Sequence, residues 1–505
     1  MFLMPQHLYD DILVKRHAAE YLGPARTYRE EVMKDKRPII LLEFNELTPQ
    51  LMEQFIVAGH LPNFAQLRDE SQAYITDAEE QAPRLEPWIQ WITVHCGMRY
   101  ADHKVFSLGD NADIPYPSLW DIASNHGDTV WVCGSMNANY APGVRGAVLP
   151  DPWSVHVQPS DPGMLPYFEF VRTNVLEHTR DKVMGGAHAM RRFLSFMATH
   201  GLKASTLSAI VCQLASEKFR RNRWRRVALL DRLQFDVFGH YYKKLRPAFS
   251  TFFLNSTAHF QHMYWRQMMP ELFSVKPSEA ERHLYGDAVL YGYQQMDRLV
   301  GKMRHLVGEN AILAFATGLS QQPCLKYEGS GGKTFYRPVD FNDFLKFAGI
   351  DPHICQVEPV MSEELHIRFS NEVDSDSAAR QLGELKVGER AAMNVARTGK
   401  SLLIGCGIFE ELPADAVLQS ATGHTLFTNV FYHVDLKKSG MHHPDGLFWV
   451  RVPGMAGVRH TDKVPIVDVA PTLLVLLELP IPAAMPGRAL IGQEKREYVR
   501  DAARV

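Results

Sequence analysis

The sequence predicts an α/β fold in three layers, with a mainly parallel central sheet covered by helices on both faces. Three observations predict it. Short apolar runs of strand length recur at 37–44 (RPIILLEF), 128–134 (DTVWVCG), 250–255 (STFFLN) and 311–316 (AILAFA), and their near-continuous apolar character is that of strands buried on both faces. Helical stretches lie between them, as at 118–125 and 285–307, and strands alternating with helices build parallel sheets. With 505 residues, 46% of them hydrophobic and 22% charged, the chain has ordinary globular composition and length for such a body with insertions.

Taken in order, residues 1–36 are polar and charged and read as a helical extension. The core opens at 37 and its first part runs to 160. Its first strand, 37–44, sits behind a proline, and the stretch LTPQLMEQFIVAGH follows as a helix whose Thr48 can cap the first turn while Pro49 takes the first position. Over 161–248 the strand signal disappears, leaving a basic helical cap with Arg191, Arg192 and the cluster KFRRNRWRR at 218–226. The core resumes over 249–325. A second insertion, 326–420, opens with the Gly-rich EGSGGK ending at Lys333 and reads as α+β, and 421–505 closes the core. Active sites in such sheets lie beyond the carboxyl ends of the strands, which directs the search to the residues just after each run.

The net charge of −3 gives no global attraction to nucleic acid. Six scattered cysteines without a CxxC pair point to buried thiols in a reducing compartment. The amino terminus has no uninterrupted apolar h-region, and no stretch approaches the roughly 20 apolar residues of a membrane span. The expectation is a cytoplasmic protein without a transmembrane segment.

Five segments in order carry a family resemblance: EFNELTP (43–49) with GHLPNFAQL (59–67), PWIQWITVHCG (87–97) with His103 after it, HFQHMYWR (259–266), GMHHPDG (440–446), and VDVAPTLL (467–474) with PGRAL (486–490). Together they resemble the alkaline phosphatase superfamily, in its branch of type I phosphodiesterases and nucleotide pyrophosphatases. The resemblance implies an alkaline phosphatase-like fold. It also implies a site where two metal ions clamp a phosphoryl or sulfuryl group beside a Thr or Ser nucleophile.

Carried over position by position, that site is depleted. The opening metal aspartate falls at Asn45, with Glu43 and Glu46 on either side. The nucleophile falls at or beside Pro87, where Glu86 is the nearest reactive group. The aspartate of the D-x-x-x-H motif falls at Ala258 while its histidine stands as His262. The Asp-His pair reads Thr317-Gly318, with no Asp, Glu or His between 311 and 327, and the last histidine stands as His442. What remains is at most a single-metal site on His262 and His442, completed by His259, His443, Asn45 or a glutamate. It would take one zinc or manganese ion, with no ion as the equal alternative. Glu86, Glu43, Glu46 and Asn45 are the catalytic candidates, and Gln90, Lys333 and Trp88 the substrate-binding ones.

Each has a structural alternative. The histidines can be hydrogen-bonded core residues, Glu43, Glu46 and Glu86 caps or ion pairs, Trp88 and Trp91 packing, and the loop before Lys333 a linker instead of an anion cradle. The arginine cluster reads as a solvated face or a docking patch for a polyanion. Two functions compete: an enzyme acting on a small anionic ester or a nucleotide-sugar or glycan precursor through His/Glu acid-base groups, and a non-catalytic module that keeps the fold. Nucleic acid is not expected as a partner, and a homo-oligomer is left open.

Overall fold

The computed structural model describes residues 36–106, 108, 114–154, 156–176, 186–358, 365–434 and 436–492. Apart from Lys36, the expected amino-terminal extension lies outside them.

Eight strands form the central sheet: β1 (Ile39–Phe44), β2 (Gln72–Asp77), β3 (Val130–Cys133), β4 (Gly146–Leu149), β5 (Phe249–Leu254), β6 (Ile312–Ala316), β7 (Asp445–Arg451) and β8 (Val458–Pro465). Their spatial order is β8-β2-β7-β6-β1-β5-β3-β4. β1 lies parallel to β5 and β6, and β7 is antiparallel to both its neighbours. The sheet is therefore mainly parallel, as the apolar runs predicted. The reversal of β7 has a positional consequence. Residues that precede β7, instead of following it, fall on the rim formed by the carboxyl ends of β1, β5 and β6.

Helices cover both faces. Ile40, Leu42 and Phe44 of β1 point into one apolar cluster with α1 (Pro49–Val57), α3 (Ser256–Met268) and α4 (Ala288–Val307). Ile39 and Leu41 point into the other, with α2 (Pro87–Cys96). All five apolar side chains of β1 are fully buried, each worth roughly 1.5–3 kcal/mol of apolar transfer. This fixes the central strand, and with it the chain exit at Asn45 and Glu46.

Local signals match where they were specific. Ser118 and Asp121 form a capping box at the helix Leu119–Asn125. Pro49 opens α1, but the Thr48 side chain does not cap it. The Thr48 hydroxyl instead lies 3.0 Å from Gln321 O and 3.1 Å from Gln261 Oε1, tying the helix start to two neighbouring segments. Helices Leu165–Leu176, Ala187–Thr199, Ala204–Glu217 and Val227–Leu245 occupy the basic stretch. A further apolar cluster, from Tyr336 to Phe431, packs two small antiparallel sheets and their helices.

Candidate functional site

The site begins where β1 ends. Glu46 has φ 61°, a left-handed conformation that costs a non-glycine residue roughly 1–2 kcal/mol. It is held there because its N–H donates to Thr317 O (3.1 Å) and its carbonyl accepts from Gln261 Nε2 (2.7 Å). The turn brings the buried carboxylate back over the sheet rim, where Oε2 accepts from Gln321 Nε2 at 2.5 Å and Oε1 from Asn45 Nδ2 at 2.8 Å. Asn45 is fully engaged. Its amide nitrogen also donates to Asn255 Oδ1 (2.8 Å) and its oxygen accepts from Trp91 Nε1 (2.8 Å). Asn45 thus positions Glu46, with its carbonyl oxygen turned toward Trp91.

Two imidazoles meet this carboxylate. His262, on α3 after β5, donates from Nδ1 to Gly440 O (3.1 Å) and sets Nε2 3.1 Å from Glu46 Oε2. With Nδ1 committed as a donor, Nε2 faces the carboxylate either through a proton or through a cation. His442 comes from the short strand Gly440–His443, paired with Ser320–Pro323. Its Nε2 lies 3.5 Å from Glu46 Oε2 and its Nδ1 3.4 Å from Glu86 Oε2. The two rings stand edge to face with centroids 5.3 Å apart. Gly440 allows this approach: a Cβ there would lie 2.2 Å from Gln321 Oε1 and 2.8 Å from the Gln261 carbonyl.

Electrostatics favours ligand forms. Burial pushes the His442 imidazole down to about 4, helped by the charges of His262 and Lys438 against the pull of Glu46, so the ring is neutral near pH 7. Burial alone would raise the Glu46 carboxyl, but His442, His262 and the Gln321 amide outweigh it and hold it at about 2. One carboxylate oxygen and two imidazole nitrogens lie within 4.8 Å of one another. That donor set suits zinc or manganese, and three protein ligands leave room for substrate or water, unlike a closed four-ligand structural site.

The remaining predicted residues divide. Glu86 belongs with the cluster: it occupies the N-cap position of α2 without a side-chain bond to the helix, and its carboxylate contacts His442. Glu43 lies on the other face of the sheet, fully buried, with Oε1 2.9 Å from His95 Nε2. Gln90 is buried and donates to Arg84 O (3.3 Å), and Trp88 donates its indole N–H to Phe106 O (2.8 Å). His259 packs its ring against Phe260 and Tyr264, and His443 Nδ1 accepts from Asp445 N (3.2 Å). The Lys333 ammonium sits over the rings of Tyr327, Phe335 and Phe409, 5.4, 5.6 and 4.8 Å from their centroids. This cation-π cage occupies the lysine expected to meet an anion.

The half of the rim where the resemblance implies a second ion is filled. Trp91 bonds Asn45, and a Cβ on Gly318 would lie 3.1 Å from the Trp91 ring. Sequence reasoning missed Gln261, Gln321, Asn255 and Lys438. Amides carry no motif of their own, and Gln321 stands in a stretch without Asp, Glu or His. The only available signal was its position just beyond a buried strand.

A three-layer α/β protein with a carboxylate and two imidazoles converging at the carboxyl rim of its sheet is the class these features define. No protein-family model and no curated protein matches the chain. Among solved structures it is similar to murine ectonucleotide pyrophosphatase/phosphodiesterase 5, with 11% identity over 90% of this chain and 97% of that one and a TM-score of 0.40. The human ectonucleotide pyrophosphatase/phosphodiesterase 5 gives 10% identity over the same shares and a TM-score of 0.41. Phosphonoacetate hydrolase from Sinorhizobium meliloti 1021, in complex with phosphonoformate, gives 11% identity over 88% of this chain and 96% of that one, with a TM-score of 0.38. The chemistry of the site is therefore read from its own residues.

Proposed function

We propose that the chain is a single-metal enzyme acting on a small anionic ester, phosphate or sulfate, with water as the acceptor. The observation that carries this reading is the convergence of Glu46, His262 and His442, each oriented by a second contact. Gln321 and Asn45 hold the carboxylate, Gly440 O fixes His262, and Glu86 faces His442. Such outer contacts are what a ligand set requires to keep its lone pairs aimed.

A bound zinc or manganese ion supplies Lewis-acid polarisation of an ester oxygen. The chain's own groups do the rest. Glu86, 28% exposed at its side chain, is placed to take or give a proton at the edge of the site. Lys438, close enough to depress His442, contributes positive charge for an anionic substrate. Thr48 and Thr317 hydroxyls are engaged with Gln321 O and Leu447 N, which favours transfer to water over attack by the chain. A nucleotide-sugar or glycan precursor fits the same anion chemistry. All six cysteines are free, which suits the reducing cytoplasm, and no helix among the described residues is long and apolar enough to cross a membrane.

The second reading, a non-catalytic binding or assembly module, is favoured by Trp91 filling the other half of the rim. Elemental analysis of protein prepared without added ions separates the two. About one ion per chain, with turnover of an aryl phosphate, a phosphodiester or a sulfate ester, supports the enzyme. Metal-free protein inert toward all three supports the module.

A further inference from the structure

The arginine cluster of the helical cap has no part in the site. Between 186 and 230 the chain carries nine Lys and Arg residues against one acidic residue, Glu217, although the whole chain has a net charge of −3. Glu217 is itself taken up by Arg226, at 2.8 and 2.9 Å. Lys218, Arg220 and Arg221 are exposed.

The helix just before this cluster, Ala204–Glu217, is turned inside out. Its one fully buried side chain is Thr206, while Leu207, Val211 and Leu214 are 51%, 57% and 46% exposed. Their spacing of four and three places them on one outward face. Phe219, just past the helix end, is 88% exposed, and Leu194 of the preceding helix is 53% exposed. Single exposed apolar residues are ordinary, but a stripe of them continuous with a basic cluster calls for an occupant.

We infer that this face of the cap docks the chain on an anionic lipid bilayer. Leucine, valine and phenylalanine enter the boundary between headgroups and acyl chains while the flanking lysine and arginines meet lipid phosphates, the division of labour of an interfacial amphipathic helix. A nucleic acid would answer the charges and leave the apolar stripe uncovered. A second copy of the chain would cover the stripe but set like charges against each other. The bilayer satisfies both features at once.

Sedimentation of the full chain with phosphatidylcholine vesicles, with and without phosphatidylserine, tests this. Binding is expected only with the anionic lipid and should fall as salt rises. Arg220→Glu with Arg221→Glu should weaken it by about tenfold or more, and Leu207→Ser with Val211→Ser and Leu214→Ser, all surface changes, should weaken it similarly at unchanged circular dichroism. Absence of binding to anionic vesicles overturns the inference. So does a charge variant that loses binding while the apolar variant keeps it, which would mark a polyanion site such as one for nucleic acid. An apolar variant that breaks a dimer without touching vesicle binding also overturns it.

Discussion

Two glutamates three residues apart each meet a histidine, one on either side of the end of β1. Glu43 pairs with His95 at 2.9 Å, and the two side chains are 0% and 3% exposed. Glu46 pairs with His262 at 3.1 Å and approaches His442, whose side chains are 28% and 19% exposed. The chemistry of the pairs is the same. Their surroundings are not: His95 lies between the rings of Trp91 and Trp120, whereas His262 and His442 stand at a rim that solvent and substrate can reach. A second imidazole and an open side turn a glutamate-histidine contact into a ligand set, and enclosure turns it into a structural pair.

The largest effect expected from this comparison is on the rim. His262→Ala combined with His442→Ala removes two of three donors, so ion content should fall from about one per chain to none and ester turnover with it, at least about a hundredfold. An ion retained in the double variant, measured by elemental analysis, would locate the metal elsewhere.

On the enclosed side the loss should be in stability. His95→Ala leaves the Glu43 carboxylate buried without its partner, which costs about 3–5 kcal/mol. Urea unfolding measures it, and ion content of the folded fraction should stay unchanged. If His95→Ala removed the ion as well, the two pairs would form one functional unit.

A second buried histidine sharpens the same contrast because it has no carboxylate bonded to it. His103 Nδ1 accepts from Val105 N (3.1 Å), so Nε2 carries the proton and donates to Thr93 Oγ1 (3.3 Å). Burial pushes this imidazole down to about 4, with Asp102 pulling weakly the other way. The unfolded chain takes up the proton first, near 6.5, and the folded chain only near 4. The stability it contributes is thus fully present above about pH 6.5 and lost as pH falls toward 4, about 3 kcal/mol in all. His103→Gln should flatten the decline in unfolding free energy across that window, and an unchanged slope would refute the assignment.

The legible parts of the molecule are those where one residue type has one physical use. β1, β3, β5 and β6 stood out because strands buried on both faces must be apolar throughout. β8, VRHTDKVP, is mostly exposed on the sheet edge and carries no such mark. At the site, His262 and His442 were found because imidazoles in patterned segments are few, and Glu46 because it follows a buried strand. That Glu46 would be the third donor, and Glu43 not, depends on a backbone turn at φ 61°. Neighbouring glutamates at a strand end look alike until that turn is known. Lys333 was misleading for a related reason: a glycine-rich loop announces a lysine's freedom to reach an anion, whereas the surrounding rings come from residues up to Phe409, far along the chain.

The smallest effect, and the one that best separates orientation from ligation, is expected at Glu86. Its carboxylate lies 3.4 Å from His442 Nδ1, the nitrogen turned away from Glu46, beside the ring's backbone hydrogen bond to Leu85, so it is placed to orient the ring from outside the three donor atoms. Glu86→Gln keeps the shape and an acceptor oxygen but removes the charge. Ion affinity should fall by about ten- to a hundredfold, the ordinary cost of an outer partner, with one ion still bound at saturation. The pH profile of turnover decides between its two roles. A proton-transfer group removed with its charge takes one limb of the profile with it, whereas a residue that only orients His442 lowers the whole curve and leaves both limbs in place.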